Sequence, residues 1–194
     1  MINVILFGPP GSGKGTQADF IVKRNHLTHI STGDIFRKNI SQKTNLGQLA
    51  NEYMKKGQLV PDQLTIDLLE NELDSFSDTN GFIFDGFPRT IPQADAFSTL
   101  LKTKNMFVSF IISLEVSENE LVRRLLRRGL ESGREDDQNE EIVRNRIQVY
   151  EKQTSVLKAY YLNHLPNIVF SIDGERTIEQ ISNDISNILS TKQG

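Results

Sequence analysis

Ile2-Asn3-Val4-Ile5-Leu6-Phe7-Gly8-Pro9-Pro10-Gly11-Ser12-Gly13-Lys14-Gly15-Thr16 decides the fold. Its first six residues are an apolar run of strand length, and Gly8 to Lys14 satisfies G-x-x-x-x-G-K, a loop that joins a buried parallel strand to a helix. Glycines without Cβ let the backbone curl until successive N–H groups face phosphate oxygens. The helix that follows turns its positive dipole end to the same point. Gly11, Ser12, Gly13, Lys14, Gly15 and Thr16 are therefore candidate contacts to nucleotide phosphates, with Lys14 supplying a mobile charge for the β and γ groups. The residue after Lys14 is glycine, and the hydroxyl arrives one position late, at Thr16. A helix turns about 100° per residue, so Thr16 cannot stand where the usual magnesium-ligating hydroxyl stands. The metal is expected to be held mainly by nucleotide phosphates and water.

Further strand-like runs lie at Thr28 to Ser31, Phe82 to Asp85, Phe107 to Leu114 and Ile168 to Ile172, alternating with helical patterns. That alternation predicts a five-stranded parallel sheet covered by helices on both faces, a three-layer α/β/α fold. Ser117 with Glu120 reads as a capping box, with Val116 and Leu121 as its hydrophobic staple, and Thr177 with Gln180 as a second box. Ile178, Ile181, Ile185 and Ile188 recur at helical spacing and are expected to be core. Pro61 suits the first turn of a helix carrying Leu64, Leu68, Leu69 and Leu73, and Gly57 suits the end of the helix before it. Thr32 to Gly57 is thus a helical insertion, and Gly129 to Asn139, where apolar periodicity fails, reads as an exposed flap. No repeat or low-complexity tail is present, and little fraying is expected at either end.

A chain of 194 residues with net charge −3 and an ordinary apolar fraction of 37% is expected to be one soluble folding unit. It has no broad basic surface for nucleic acid. Without cysteine it has no disulfide and no thiolate metal site. The first apolar run is too short for a signal peptide or a membrane span, so a cytoplasmic protein with no membrane partner is expected.

Seven of the eleven arginines lie between Arg123 and Arg146, in a chain that is acidic as a whole. Arg123 with Arg127 and Arg124 with Arg128 form two i, i+4 pairs about 100° apart on a helix, so both cannot face one anion and at least one is a solvated face. Arg134 stands among acids in the flap, placed to close onto an anion, and Arg146 is expected to begin the facing helix. Asp85-Gly86-Phe87-Pro88-Arg89 follows a buried strand, at the sheet edge where open α/β sheets bind ligands. Asp85 there can orient magnesium-bound water, while Arg89 offers phosphate a planar fork.

Gly8 to Thr16, His29 to Asp34, Leu59 to Asp62, Gly81 to Arg89 with Gln93, and Ser132 to Asp137 with Arg146 resemble, in order, the signatures of the nucleoside monophosphate kinases. The resemblance is greatest to the adenylate kinases of short-lid form and runs from Met1 to about Gly174. It implies a P-loop core (1–30, 61–127 and 139–194), an AMP-binding insertion at 31–60 and a lid at 128–138. It also implies that Thr32, Arg37, Gln58, Leu59, Val60, Gly86, Phe87, Pro88, Arg89 and Gln93 bind AMP. Arg134 and Arg146 join them at its phosphate. Arg124 would lie against the ATP adenine and Arg176 near the last ATP contact. Lys14, Arg89, Arg128, Arg134 and Arg146 would be catalytic. Thr32 and Gln93 resemble the adenylate members rather than the uridylate and cytidylate ones. The five residues between Arg128 and Arg134 match short-lid members, so magnesium but no zinc is expected. The resemblance thus implies a monomer that converts MgATP and AMP into two ADP. A uridylate or cytidylate kinase and a nonenzymatic P-loop switch are the competing readings. A guanine-specific switch should carry N-K-x-D, and the chain has none.

Overall fold

The computed structural model describes residues 1–76 and 78–191; the expectation of little fraying at the C-terminus falls partly on 192–194, outside the described residues. Strands β1 (Ile2–Phe7), β2 (Thr28–Ser31), β3 (Gly81–Asp85), β4 (Phe110–Glu115) and β5 (Val169–Asp173) form one parallel sheet in the order β2-β3-β1-β4-β5. This is the expected five-stranded P-loop α/β fold. Helices α1 (Lys14–Asn25), α2 (Thr32–Ser41), α3 (Asn45–Met54), α4 (Asp62–Asp74), α5 (Ile91–Thr103), α6 (Glu118–Ser132), α7 (Glu140–Val149), α8 (Val156–His164) and α9 (Ile178–Ser190) complete it.

The alternation of β1 sorts its side chains onto the two faces of the sheet. Val4 and Leu6 join Ala18 and Ile21 of α1 and Ile181, Ile185 and Leu189 of α9, while Ile5 and Phe7 join Leu69 and Leu73 of α4, Phe97 of α5 and Leu157 and Tyr161 of α8. Two smaller apolar clusters sit outside these layers. Leu121, Leu125, Val143 and Ile147 bind α6 to α7, and Phe36, Ala50, Val60 and Leu68 close the helical insertion onto α4. The pairings Leu6 with Asp85 and Ser31 with Asp85 bring the carboxyl ends of β1, β2 and β3 level. From β1 the chain crosses to one side of the sheet and from β3 to the other, so their ends open a crevice.

Several sequence expectations are displaced. Strand β4 begins at Phe110 rather than Phe107, which is 63% exposed; the Phe107 carbonyl accepts from Asn3 Nδ2 at 2.9 Å, a side chain in place of a ladder partner. β5 starts at Val169 because Pro166–Ile168 form a 3₁₀ turn. Ser117 caps α6 by position without a side-chain bond, and its N–H donates to Glu175 Oε1 (2.7 Å), because Glu120 is engaged by Arg123 and Arg124. The box at Thr177 and Gln180 does form. Ile178 is 51% exposed, so the α9 stripe is core only from Ile181 onward, completed by Leu189. The flap is shorter than its composition suggests. Helix α6 runs through Ser132, a 3₁₀ turn covers Glu135–Asp137, and the side chain of Asp137 is fully buried.

Candidate functional site

The cradle forms as the glycines require. Gly8, Gly11 and Gly13 have φ of 143°, 86° and 97°, and Gly13 leads into α1 without a side-chain cap, leaving the first N–H groups of the helix for a ligand. Lys14 Nζ folds back into the loop, donating to the carbonyls of Gly8 (2.7 Å) and Pro9 (3.0 Å). Burial at the cleft floor lowers its ammonium from 10.5 to about 8; Asp85 opposes the shift, and Arg89, Arg128 and Arg146 add to it. Ser12 is buried, whereas Gly15 and Thr16 are exposed along the rim.

Asp85 ends β3 beside this loop, with one carboxylate oxygen 3.7 Å from His29 Nε2 on β2. Burial pushes its carboxyl up, but His29, Lys14 and Arg89 together hold it below the usual range. Gly86 then turns the chain at φ 76°; a Cβ there would stand 2.7 Å from Arg89 Nη2. Its carbonyl accepts from Thr32 Oγ1 (2.9 Å) and Arg89 Nε (2.6 Å), which aims the guanidinium into the cleft. Burial lowers Arg89 to about 10, leaving it cationic at neutral pH. Phe87 is turned away, edge-on to Phe97 at 5.4 Å in the core, and Pro88 is buried. From below, Thr154 Oγ1 donates to the Arg89 carbonyl at 2.9 Å; it sits in one wide π-type turn, Tyr150–Thr154, between α7 and α8.

Acidic side chains place the remaining arginines. The buried Asp137 carboxylate accepts from Arg128 Nε (2.6 Å) on α6 and from Arg146 Nη1 on α7. Burial opposes its ionisation, but the two guanidinium groups outweigh burial and hold its pKa below the ordinary value. Arg146 lies in the last turn of α7, not at its start, and also reaches Asp136 Oδ2 at 3.0 Å. Asp34, at the start of α2, takes Arg37 at 2.6 Å and Arg134 at 3.2 Å, so it links the insertion to the segment after α6. Arg124 binds Glu120 and donates to the Gly174 carbonyl (2.9 Å), spanning from α6 to the loop after β5. Arg123 and Arg127 are 65% and 69% exposed and pair with Glu120 and Glu131, which makes theirs the solvated pair. Arg176 pairs with Asp184 of α9.

A cleft of about 750 Å³ gathers Gly11 to Thr16, Arg37, Gln58, Leu59, Asp85 to Arg89, Arg124, Arg128, Arg134, Arg146 and Arg176. Thr32, Val60 and Gln93 line a separate recess of about 40 Å³, shared with Arg89, Gln58 and Leu59. Sequence reasoning missed the organising acids. Asp136 and Asp137 stand beside Arg134 in sequence and Asp34 closes the motif that begins at His29, but none of the three carries a role there; for Asp137 the available signal is that a buried carboxylate needs a partner. No signal pointed to Thr154. Among the described residues, no cluster of three or more His, Cys, Asp or Glu is placed to hold a metal ion, and no helix is long and apolar enough to cross a membrane.

A model of the adenylate kinase family matches residues 6–165. The chain belongs to the adenylate kinase family. It is 50% identical to an adenylate kinase of Flavobacterium psychrophilum over 98% of this chain and 99% of that one. It is 48% identical to one of Bacteroides fragilis over 98% and 100%, and 44% identical to one of Porphyromonas gingivalis over 97% and 96%. The chain is therefore an enzyme, a phosphotransferase of the nucleoside monophosphate kinase class, and neither the uridylate or cytidylate reading nor the nonenzymatic one is favoured. Adenylate kinase membership accounts for a cleft with a phosphate cradle on one wall and a convergent set of arginines on the other.

Proposed function

We propose that this kinase transfers the γ-phosphoryl of MgATP to AMP, reversibly, giving two ADP, with the donor over the Gly8–Lys14 loop and AMP against the helical insertion. The observation that carries this reading is the convergence of Lys14, Arg89, Arg128, Arg134 and Arg146 on one cleft, with a smaller recess beside Arg89. The ATP side offers Gly11 to Thr16, Arg124 and Arg176, with Ile178 also lining the cleft. The AMP side offers Thr32, Arg37, Gln58 to Val60 and Gly86 to Arg89, with Gln93 reading the base. In this reading the insertion (31–60) closes on AMP and the lid (128–138) closes over ATP, both against the core.

The acceptor oxygen of AMP is already ionised near neutral pH, since a phosphate monoester has its second pKa near about 6, and no general base is needed. The task is to bring two anions into line and exclude water. On nucleotide entry Lys14 exchanges the carbonyls of Gly8 and Pro9 for phosphate oxygens. Arg37 and Arg134 exchange Asp34 for phosphate. Arg128 and Arg146 keep Asp137 and offer their remaining N–H groups to the transferring phosphoryl, as fixed donors that need no reorganisation in the transition state. Asp85, a carboxylate beside the loop with Gly15 in front of it, suits a water of the magnesium shell. Magnesium entering with ATP would supply charge neutralisation to the phosphates, with Asp85 the carboxylate that could hold one of its waters. Zinc and a second subunit have no part in this reading, and the working unit is a cytoplasmic monomer.

A coupled assay tests it: purified protein with ADP and magnesium should form ATP and AMP, and AMP should outperform CMP and UMP as acceptor. No ATP from ADP would refute the reaction, and preference for a pyrimidine monophosphate would refute the acceptor.

A further inference from the structure

Asp62 has no part in the chemistry above, yet it is tied to the residue that reads the acceptor base. It opens α4 at the edge of the small recess, and its two oxygens are both used: Oδ1 accepts from Gln93 Nε2 at 2.7 Å and Oδ2 from Thr90 Oγ1 at 2.9 Å. Gln93, 1% exposed, is held at its other end, where Oε1 accepts from the Arg89 backbone N–H at 2.8 Å. Thr90 completes the arrangement by capping α5, accepting from the Gln93 backbone N–H at 3.3 Å.

A glutamine amide is nearly symmetric in shape and antisymmetric in hydrogen-bonding sense, so its orientation is set by its partners. Here both partners have one polarity only. A backbone N–H can only donate and a carboxylate can only accept, so Oε1 must face Arg89 and Nε2 must face Asp62. Reversing the amide would set N–H against N–H at one end and oxygen against oxygen at the other. One Nε2 hydrogen and one Oε1 lone pair remain unused, and Gln93 lines the recess they serve. A 6-aminopurine presents a donor at its amino group and an acceptor on the adjacent ring nitrogen, which fits this edge. A 6-oxopurine presents an acceptor at O6 and a donor at N1, which fits only the reversed amide.

We propose that Asp62 is a positioning residue for acceptor specificity: by anchoring the Gln93 amide in one orientation it makes the site accept 6-aminopurine monophosphates and reject 6-oxopurine ones. The proposal rests on the reading of Gln93 as the base-contacting residue. Removing the carboxylate leaves the Arg89 N–H as the only orienting partner, and the amide can then turn to suit O6.

The test compares kcat/KM for AMP with that for IMP, with MgATP as donor, in wild type, Asp62→Leu, Asp62→Asn and Gln93→Leu. The AMP/IMP ratio is independent of how much of each preparation is folded, so a variant that is merely less stable leaves it unmoved. Asp62→Leu should lower the ratio at least about tenfold, as loss of one charge-assisted orienting bond implies. Asp62→Asn keeps an acceptor oxygen and should stay within about threefold of wild type. A ratio retained by Asp62→Leu, or lost equally by Asp62→Asn, overturns the proposal. If Gln93→Leu collapses the ratio while Asp62→Leu does not, only the role of Asp62 fails. If Gln93→Leu leaves it unchanged, Gln93 does not read the base and the Asp62 proposal falls with that reading.

Discussion

ATP binding above neutral pH should draw protons from solution, and Lys14 should account for them. In the cradle its ammonium has only the carbonyls of Gly8 and Pro9 within 3.0 Å, and burial, reinforced by Arg89, Arg128 and Arg146 against the opposing Asp85, lowers it from 10.5 to about 8. Phosphate oxygens in the same place return it to its ordinary value or higher. From those two values, free Lys14 lacks about 0.75 proton at pH 8.5 and about 0.03 at pH 6.5, while bound Lys14 lacks about 0.01 even at pH 8.5. Binding therefore takes up about 0.7 proton at pH 8.5 and almost none at pH 6.5. Because the ligand prefers the protonated form, affinity falls as pH rises, about fourfold by pH 8.5 and about thirtyfold by pH 9.5. Calorimetry with a non-hydrolysable ATP analogue and magnesium, in two buffers of different ionisation enthalpy, counts the protons directly. The nucleotide phosphates are already ionised in this range. Lys14→Arg keeps a cation that does not titrate and should take up none. Uptake below about 0.2 proton at pH 8.5 in wild type, or equal uptake in Lys14→Arg, would refute the reasoning.

Two further outcomes follow from the lid. Asp137→Asn removes the buried anion between Arg128 and Arg146 and should cost about 3 kcal/mol, a melting shift of roughly 6–12 °C, read by thermal unfolding. Since folding holds the Asp137 pKa below its unfolded value, its contribution is complete above the ordinary aspartate range and is lost as pH falls through the depressed value. Wild type should therefore lose more stability than the variant on acidification, and parallel pH profiles would contradict this. Gly133→Val places a branched side chain at φ 68°, where an added Cβ meets nothing within 4 Å, so the penalty is backbone strain of about 1–2 kcal/mol rather than a clash. Turnover should fall by about tenfold or more while melting drops only roughly 2–8 °C; proportionate losses would remove Gly133 from lid closure.

The parallel sheet was readable because each strand is an apolar run bounded by turn residues, and both faces of such a sheet are buried. The start of β5 moved because Pro166–Ile168 form a 3₁₀ turn, and two other expectations moved where a side chain meets a backbone group. Asn3 satisfies the Phe107 carbonyl and delays β4, and Glu175 satisfies the Ser117 N–H and replaces the expected capping box. The flap from Gly129 was misjudged for a related reason. Its polar residues include Asp137, which is buried and paired with two arginines, so composition reported exposure where a paired carboxylate is buried. The α6 arginines could be divided into two faces from helical geometry, but which face was solvated depended on the 3₁₀ turn after α6, where Asp137 takes Arg128, and on the loop after β5, where Gly174 takes Arg124.

What the amino-acid order determined by itself is local: the Gly8–Lys14 cradle, the strand and helix segments, and the residue types that can meet a phosphate. These follow from backbone sterics, dipole direction and hydrophobic period, which act over a few residues. Only the tertiary structure decided which charges face one another. Asp34 meets Arg134 across 100 positions, Thr154 meets the Arg89 carbonyl across 65, and Asp62 meets Gln93 across 31. Asp34 and Arg134 meet at the exposed rim of the cleft, whereas Gln93 and Thr154 are buried polar groups that must find partners wherever packing brings one within reach; a linear pattern records neither distance.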